Sequence, residues 1–178
     1  MNNPIIPKED VYLVKTIPGY TPNISRLICM MNYVRYVTLH SVNGLTIREL
    51  DFQMDNKSNS IGALLLHFAS TEYFYQKFTF EERDLTKAEY KKWESPMMLG
   101  ELGRKNIKGN KLEYYTAILN KSRNKTYKLL KEKNDKWLEK EIDYGKVKSN
   151  NYHAWFHVFE DEINHRGQIN LIRKRLKK

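Results

Sequence analysis

The feature of this sequence that most constrains its fold is the spacing of its apolar residues. In the first long segment, Ile24, Leu27, Ile28, Met31 and Val34 recur at intervals of three and four residues, which places them on one face of a helix. No segment shows the sustained alternation of apolar and polar residues that is typical of a half-buried strand. The sequence therefore predicts an all-α fold.

Three further segments repeat this spacing, so four amphipathic helices are predicted. They cover about residues 22–42, about 60–78, a stretch around 115–130 that ends near 139, and about 152–176. The simplest way to bury four apolar faces is a four-helix bundle, with a long helix 2–helix 3 crossover at 80–110. A mixed α/β fold would need strands at 11–17 or 141–148, and only 11–14 is a good candidate.

Four prolines, Pro4, Pro7, Pro18 and Pro22, lie before the first helix or at its start. Each removes a backbone donor and disfavours helix in the residue before it, so residues 1–21 are predicted to form an extended N-terminal arm. A chain of 178 residues accommodates about one domain, and residues 22–178 are predicted to be the bundle.

Composition excludes several classes of protein. The single cysteine rules out an internal disulfide framework, and no apolar run approaches the roughly 18 residues of a transmembrane helix. The N-terminus does not resemble a secretory signal, so a cytoplasmic location is expected. Of the net charge of +10, the last six residues supply +5. Such a tail suits the C-terminal end of a helix better than a nucleic-acid site, and no nucleic-acid-binding motif accompanies it.

The fourth helix carries the residues with the clearest chemistry. His157, Asp161 and His165 follow one another at intervals of four, so two of them can reach a single ion, and imidazole and carboxylate both bind transition metals. Asp161 and His165 fall on the inward stripe, where a salt bridge would be the alternative to a metal. His67 lies at the margin of the second helix's apolar face, as a ligand or as a histidine at the edge of the core.

Three neighbours of these residues have their own interpretations. Gly167 is costly in the middle of a helix, which suggests that another helix approaches closely. Gln168 could hydrogen-bond a metal ligand or a bound water, or be solvated. Glu162 could assist the site but is more typical of an exposed helix charge.

Two segments resemble motifs of the DinB-like superfamily, whose members are four-helix bundles. Residues 165–168, His-Arg-Gly-Gln, resemble its last-helix signature, in which a histidine or acidic residue stands four positions earlier. Residues 59–67, Asn-Ser-Ile-Gly-Ala-Leu-Leu-Leu-His, resemble its second-helix signature, which leads to the first metal ligand. The resemblance covers about residues 22–176, with the two motifs about 100 residues apart as in the superfamily.

The resemblance implies a divalent metal held by three side chains beside an open coordination position. His67 matches the first ligand and His165 the last, while the middle ligand, usually histidine, falls on Asp161. This departure lowers the charge of the site by one, and it leaves His157 as an alternative third ligand. Zinc or nickel is the expected metal, with iron or manganese next.

Relatives in the superfamily transfer low-molecular-weight thiols, and the resemblance implies the same reaction here. The metal would activate a thiol, or water in a hydrolase, and the partners would be a small-molecule thiol and an electrophilic substrate. The alternative is a non-catalytic, stress-related binding protein with a basic surface. A homodimer is left open, since bundles with exposed apolar arms often dimerise.

Overall fold

A computed structural model describes residues 10–176 of the chain, and most of these residues are helical. The elements in chain order are α1 Pro22–Val42, α2 Ile47–Asp51, α3 Ile61–Tyr75 with a following π-helical turn Gln76–Phe80, α4 Lys87–Met98, α5 Gly100–Asn106, α6 Leu112–Lys131, α7 Asp135–Glu139, β1 Glu141–Tyr144, β2 Val147–Asn150 and α8 Asn151–Leu176. The all-α prediction is confirmed. Within this range no helix is long and apolar enough to cross a bilayer.

Helices α1, α3, α6 and α8 form the bundle, and their apolar faces meet in two buried clusters. The Trp155 cluster includes Ile24, Leu27, Tyr75, Tyr127, Trp155 and Val158. The Leu65 cluster includes Val42, Leu64, Leu65, Leu119, Ile169 and Ile172. Helices α1 and α8 begin in the Trp155 cluster and end in the Leu65 cluster. Helices α3 and α6 run in the opposite direction. Consequently α3 and α6 run in the same direction, which requires the long crossover between them.

Local signals set the ends of the first bundle helices. Pro22 occupies the first turn of α1, where its missing N–H costs nothing, and Gly44 follows the helix with φ of +76°. The hydroxyl of Ser60 accepts a hydrogen bond from the Ala63 N–H at 3.2 Å and caps α3. The predicted bounds of the first helix, 22–42, are confirmed.

Three regions differ from the sequence-based expectation. The second helix was expected to reach 78 as an α-helix, but α3 ends at Tyr75 and continues as the π-helical turn. The third was expected to end near 139, but α6 ends at Lys131 and Asn134 caps a separate helix, α7. The crossover contains α4 and α5, of which only a short helix toward Trp93 was expected.

Residues 141–150 form a β-hairpin that the sequence did not predict. Strands β1 and β2 pair antiparallel, with Glu141 opposite Asn150 and Tyr144 opposite Val147. The Tyr144 hydroxyl lies 2.8 Å from the Tyr75 hydroxyl, so the hairpin is tied to the end of α3. Residues 11–14, the better strand candidate, form no strand. The predicted arm at 1–21 lies partly outside the described residues and stays a prediction.

A buried ring of charges separates the two apolar clusters. Each bundle helix contributes one residue: Arg35 from α1, Glu72 from α3, Arg123 from α6 and Glu162 from α8. On every helix the charged residue lies between the stretches that join the two clusters. Glu162 was interpreted as an exposed charge, and this was wrong, because its side chain is fully buried.

The ring alternates in sign and carries no net charge. Arg35 Nε donates to Glu162 Oε1 at 2.9 Å, and Arg123 Nε donates to Glu72 Oε1 at 2.8 Å. Arg35 Nη2 also lies 3.5 Å from Glu72 Oε2, and the Thr126 hydroxyl donates to Glu72 Oε1 at 2.7 Å. Burial opposes ionisation of Glu72, but Arg123 and Arg35 outweigh it and lower the pKa of this carboxyl.

Replacing Gly62 with alanine should destabilise the protein by about 1–3 kcal/mol. A Cβ at this position would lie 2.5 Å from the hydroxyl oxygen of Tyr115, whose side chain is fully buried and cannot move aside without disturbing the core. The free energy of unfolding from urea titration measures the loss.

Gly167 provides the matched control for this substitution. It was expected to lie against a neighbouring helix, and this was wrong, because a Cβ there would have no atom of any other helix among residues 10–176 within 4 Å. Gly167→Ala should therefore stabilise α8 by up to about 1 kcal/mol through helix propensity alone. Equal effects of the two substitutions would contradict the packing argument.

Candidate functional site

Helices α3 and α8 bring together His67, Asp161 and His165. His67 Nε2 lies 3.3 Å from Asp161 Oδ2, and His165 Nε2 lies 3.4 Å from Asp161 Oδ1. The two imidazole rings meet edge to face, with 4.9 Å between their centroids. The side chains of His67 and Asp161 are 15% exposed and that of His165 is 18% exposed, so the group is mostly buried but still reaches solvent. Each residue offers one ligand atom within 4.8 Å of the other two.

The position of one proton on His67 follows from its hydrogen bond. Nδ1 lies 2.8 Å from the carbonyl oxygen of Pro96, near the end of α4. A carbonyl oxygen only accepts hydrogen bonds, so Nδ1 must carry the proton. In the neutral ring Nε2 then holds a lone pair, and that lone pair faces the Asp161 carboxylate. Two acceptors facing each other at this distance need either a second proton on the ring or a bound cation between them.

Asp161 is electrostatically coupled to both histidines. Burial would raise the pKa of this carboxyl, but His165 and His67 outweigh burial and hold the pKa well below the ordinary value of an aspartate. In return, the Asp161 carboxylate raises the pKa of His165. Within residues 10–176, neither Asp161 Oδ2 nor His165 Nδ1 makes a hydrogen bond of normal geometry, although both atoms are buried. Buried polar atoms are rarely left without a partner.

The donor set fits a divalent transition metal. Imidazole nitrogen and carboxylate oxygen both bind zinc, nickel and iron. Ligands about 2.0–2.1 Å from a tetrahedral ion lie about 3.3 Å from one another. The contacts of His67 and His165 with Asp161 are of this length but go to different carboxylate oxygens, and with one ligand atom from each residue the three atoms lie within 4.8 Å of one another. Two features of the site's surroundings could not be predicted from spacing: the Pro96 backbone carbonyl that orients His67, and the buried ring of charged side chains beside Asp161. The sequence signal that could have indicated the ring is that Arg35 and Arg123 fall within the apolar faces of α1 and α6.

Two other residues from the sequence-based hypothesis are not among these three ligand candidates. His157 Nδ1 lies 3.1 Å from Glu160 Oε2, and its side chain is 37% exposed, so the structure does not bring it to Asp161 and His165 as a third ligand. Gln168 is exposed on α8. It is near enough to contribute to the raised pKa of His165, although it forms no hydrogen bond of normal geometry with that ring.

Comparison with protein-family models identifies the family of this chain. The sequence model of the mycothiol-S-transferase family matches residues 26–178, a range that includes His67, Asp161 and His165 and all four bundle helices apart from the first turn of α1. No curated protein matches the chain.

Proposed function

Because this chain belongs to the mycothiol-S-transferase family, and through it to the DinB-like superfamily, we propose that it is a metal-dependent thiol S-transferase. The observation that carries the proposal is the meeting of His67, Asp161 and His165, with a lone pair of His67 facing the Asp161 carboxylate. Membership supports the reaction class, and the geometry supports the metal.

Under this proposal His67, Asp161 and His165 hold the ion, with zinc or nickel favoured over iron or manganese. When bound, such a metal lowers the pKa of a coordinating thiol and so supplies a thiolate near neutral pH. Asp161 brings a negative charge to the site, and its depressed pKa keeps it ionised at neutral pH. The Pro96 carbonyl holds the ring of His67 in the tautomer that binds through Nε2.

The thiol must come from a small molecule. The single cysteine, Cys29, is buried in the Trp155 cluster, and its thiol lies 3.5 Å from the Lys15 carbonyl oxygen. A buried thiol of this kind acts as a small apolar side chain. In the reaction, the sulfur of the small-molecule thiol forms a bond to an electrophilic carbon. The leaving group departs with its electron pair, and the thiol proton passes to solvent.

The test is conjugation of a thiol to monochlorobimane, with chloride as the leaving group and fluorescence as the readout. Three thiols are tested: mycothiol, bacillithiol and glutathione. Each is assayed once with metal-free protein and once with protein supplied with zinc or nickel. We expect turnover with at least one thiol, dependent on added metal, with mycothiol first in view of the family's name.

Two outcomes would contradict the proposal. Turnover that does not depend on metal would show that His67, Asp161 and His165 do not act in the reaction as metal ligands. Hydrolysis of a model ester by the metal-loaded protein, with no conjugation of any of the three thiols, would favour a hydrolase instead.

A further inference from the structure

We propose that Asn59 is a positioning residue for His67: by holding the Gly100 N–H, it leaves the Pro96 carbonyl free to orient the imidazole. This inference rests on the proposed function, since the orientation matters through the ion that His67 is to hold. Asn59 contacts neither the metal ligands nor the position between them in any hydrogen bond of the described residues.

The argument begins where α4 ends. In an α-helix each N–H donates to the carbonyl four residues earlier, and Leu99 N still donates to Ser95 O at 3.0 Å. The next bond in this series would run from Gly100 N to Pro96 O. It does not form at this junction, where Leu99 has a φ of +53°, a left-handed conformation that a residue with a side chain adopts only when surrounding contacts hold it. Gly100 N donates instead to Asn59 Oδ1 at 3.0 Å.

The break in the helical hydrogen bonds leaves the Pro96 carbonyl available to His67. The Pro96 carbonyl, without the Gly100 N–H, accepts the hydrogen bond from His67 Nδ1 at 2.8 Å. That bond places the proton on Nδ1 and directs Nε2 toward Asp161. If Gly100 returned to the helical ladder, its N–H would compete with His67 for the same carbonyl.

Asn59 is well placed to fix the position of the α4–α5 junction relative to His67. It precedes Ser60, which caps α3, so it is attached to the start of the helix that carries His67. Its side chain therefore ties the α4–α5 junction to α3, two turns before the ligand. An oxygen acceptor at the reach of the Asn59 side chain is needed here, and any side chain without one loses the contact.

The experiment measures Co²⁺ binding to metal-free protein by the visible absorption of the bound ion. Asn59→Ala should weaken Co²⁺ affinity by about 10-fold or more and change the absorption spectrum, with the stoichiometry unchanged. Asn59→Asp keeps an oxygen that can accept from Gly100 N–H, so it should bind close to wild type. Long-range ¹H–¹⁵N spectra of the metal-free protein should show the His67 ring nitrogens altered in Asn59→Ala and not in Asn59→Asp.

Asn134→Ala is the matched control. Asn134 Oδ1 also accepts a backbone N–H at a helix start, from Trp137 at 3.1 Å, but it caps α7 away from the site. It should lower stability with no change in Co²⁺ affinity or spectrum. If Asn59→Ala does not fold, Asn59→Ser, whose hydroxyl is too short to reach Gly100, takes its place with the same expectation.

The outcomes separate this inference from the proposed function. If wild type binds Co²⁺ and Asn59→Ala binds it equally well with the same spectrum, the role of Asn59 is refuted and the metal site stands. If wild type itself binds no divalent ion, or His67→Ala binds as well as wild type, the metal-dependent function fails, and with it this inference.

Discussion

Replacing His67 or His165 with alanine is expected to abolish both metal binding and thiol transfer. Each imidazole lies within 3.4 Å of an Asp161 oxygen, and the group offers three ligand atoms in all, so one loss leaves two. Loss of a residue that merely supports a ligand costs about 10–100-fold in affinity, and loss of a ligand should exceed that range. Transfer should fall to the rate of the metal-free protein.

The measurement is the metal content of protein purified without a histidine tag, with about one divalent ion per chain expected in wild type. His153→Ala is the control on the same helix, since His153 Nδ1 lies 3.0 Å from the exposed Ser149 hydroxyl and takes no part in the site. Negligible metal in wild type, or metal retained by both variants, would refute the assignment of these ligands.

Glu72→Gln is expected to destabilise the fold by about 3–5 kcal/mol, the range for a buried ion pair that loses one partner. The substitution preserves shape and removes one negative charge, so Arg35 and Arg123 are left facing Glu162 alone. All four side chains are at least nine-tenths buried, and water cannot replace the lost charge. Urea unfolding followed by circular dichroism measures the change.

The control is Glu141→Gln, which removes one partner of an exposed pair with Lys148 and should leave stability close to wild type. A second comparison tests charge balance. Glu72→Gln combined with Arg123→Met removes one charge of each sign, so the double variant should lose less stability than the two single changes added together. Additive losses would show that the ring does not act as a unit.

The elements that the sequence predicted best are those with local causes. The first helix begins at a proline and ends before Asn43-Gly44, and neither signal depends on distant residues. The π-helical turn after Tyr75 carries no such signal, and the hairpin at 141–150 has a local signal in its turn, at Gly145 with φ of +66°, but none in its strands. The hairpin is held partly by the contact between Tyr75 and Tyr144, which are 69 residues apart.

The candidate site likewise combines features with local causes and features that depend on distant residues. The spacing of Asp161 and His165 along one helix face follows from helical geometry, but their approach to His67 depends on how α3 packs against α8. Glu162 looked exposed because a charge on a helix is usually solvated, and the arginines that permit its burial lie on two other helices. Gly167 was expected to be a point of close packing. The space beside it depends on how the helices are arranged, which the sequence of one helix does not determine.

The buried ring also governs how far one helix can slide along another. Glu162 follows Asp161 directly, and Glu72 lies five residues beyond His67 on α3. A slip of α8 by one turn would shift it by about 5.4 Å, pulling Glu162 from Arg35 and Asp161 from His67 together. The axial alignment that keeps the interior electrically balanced is thus the one that assembles the three donor groups, so transplanting the donors alone into another scaffold would omit the part that aligns them.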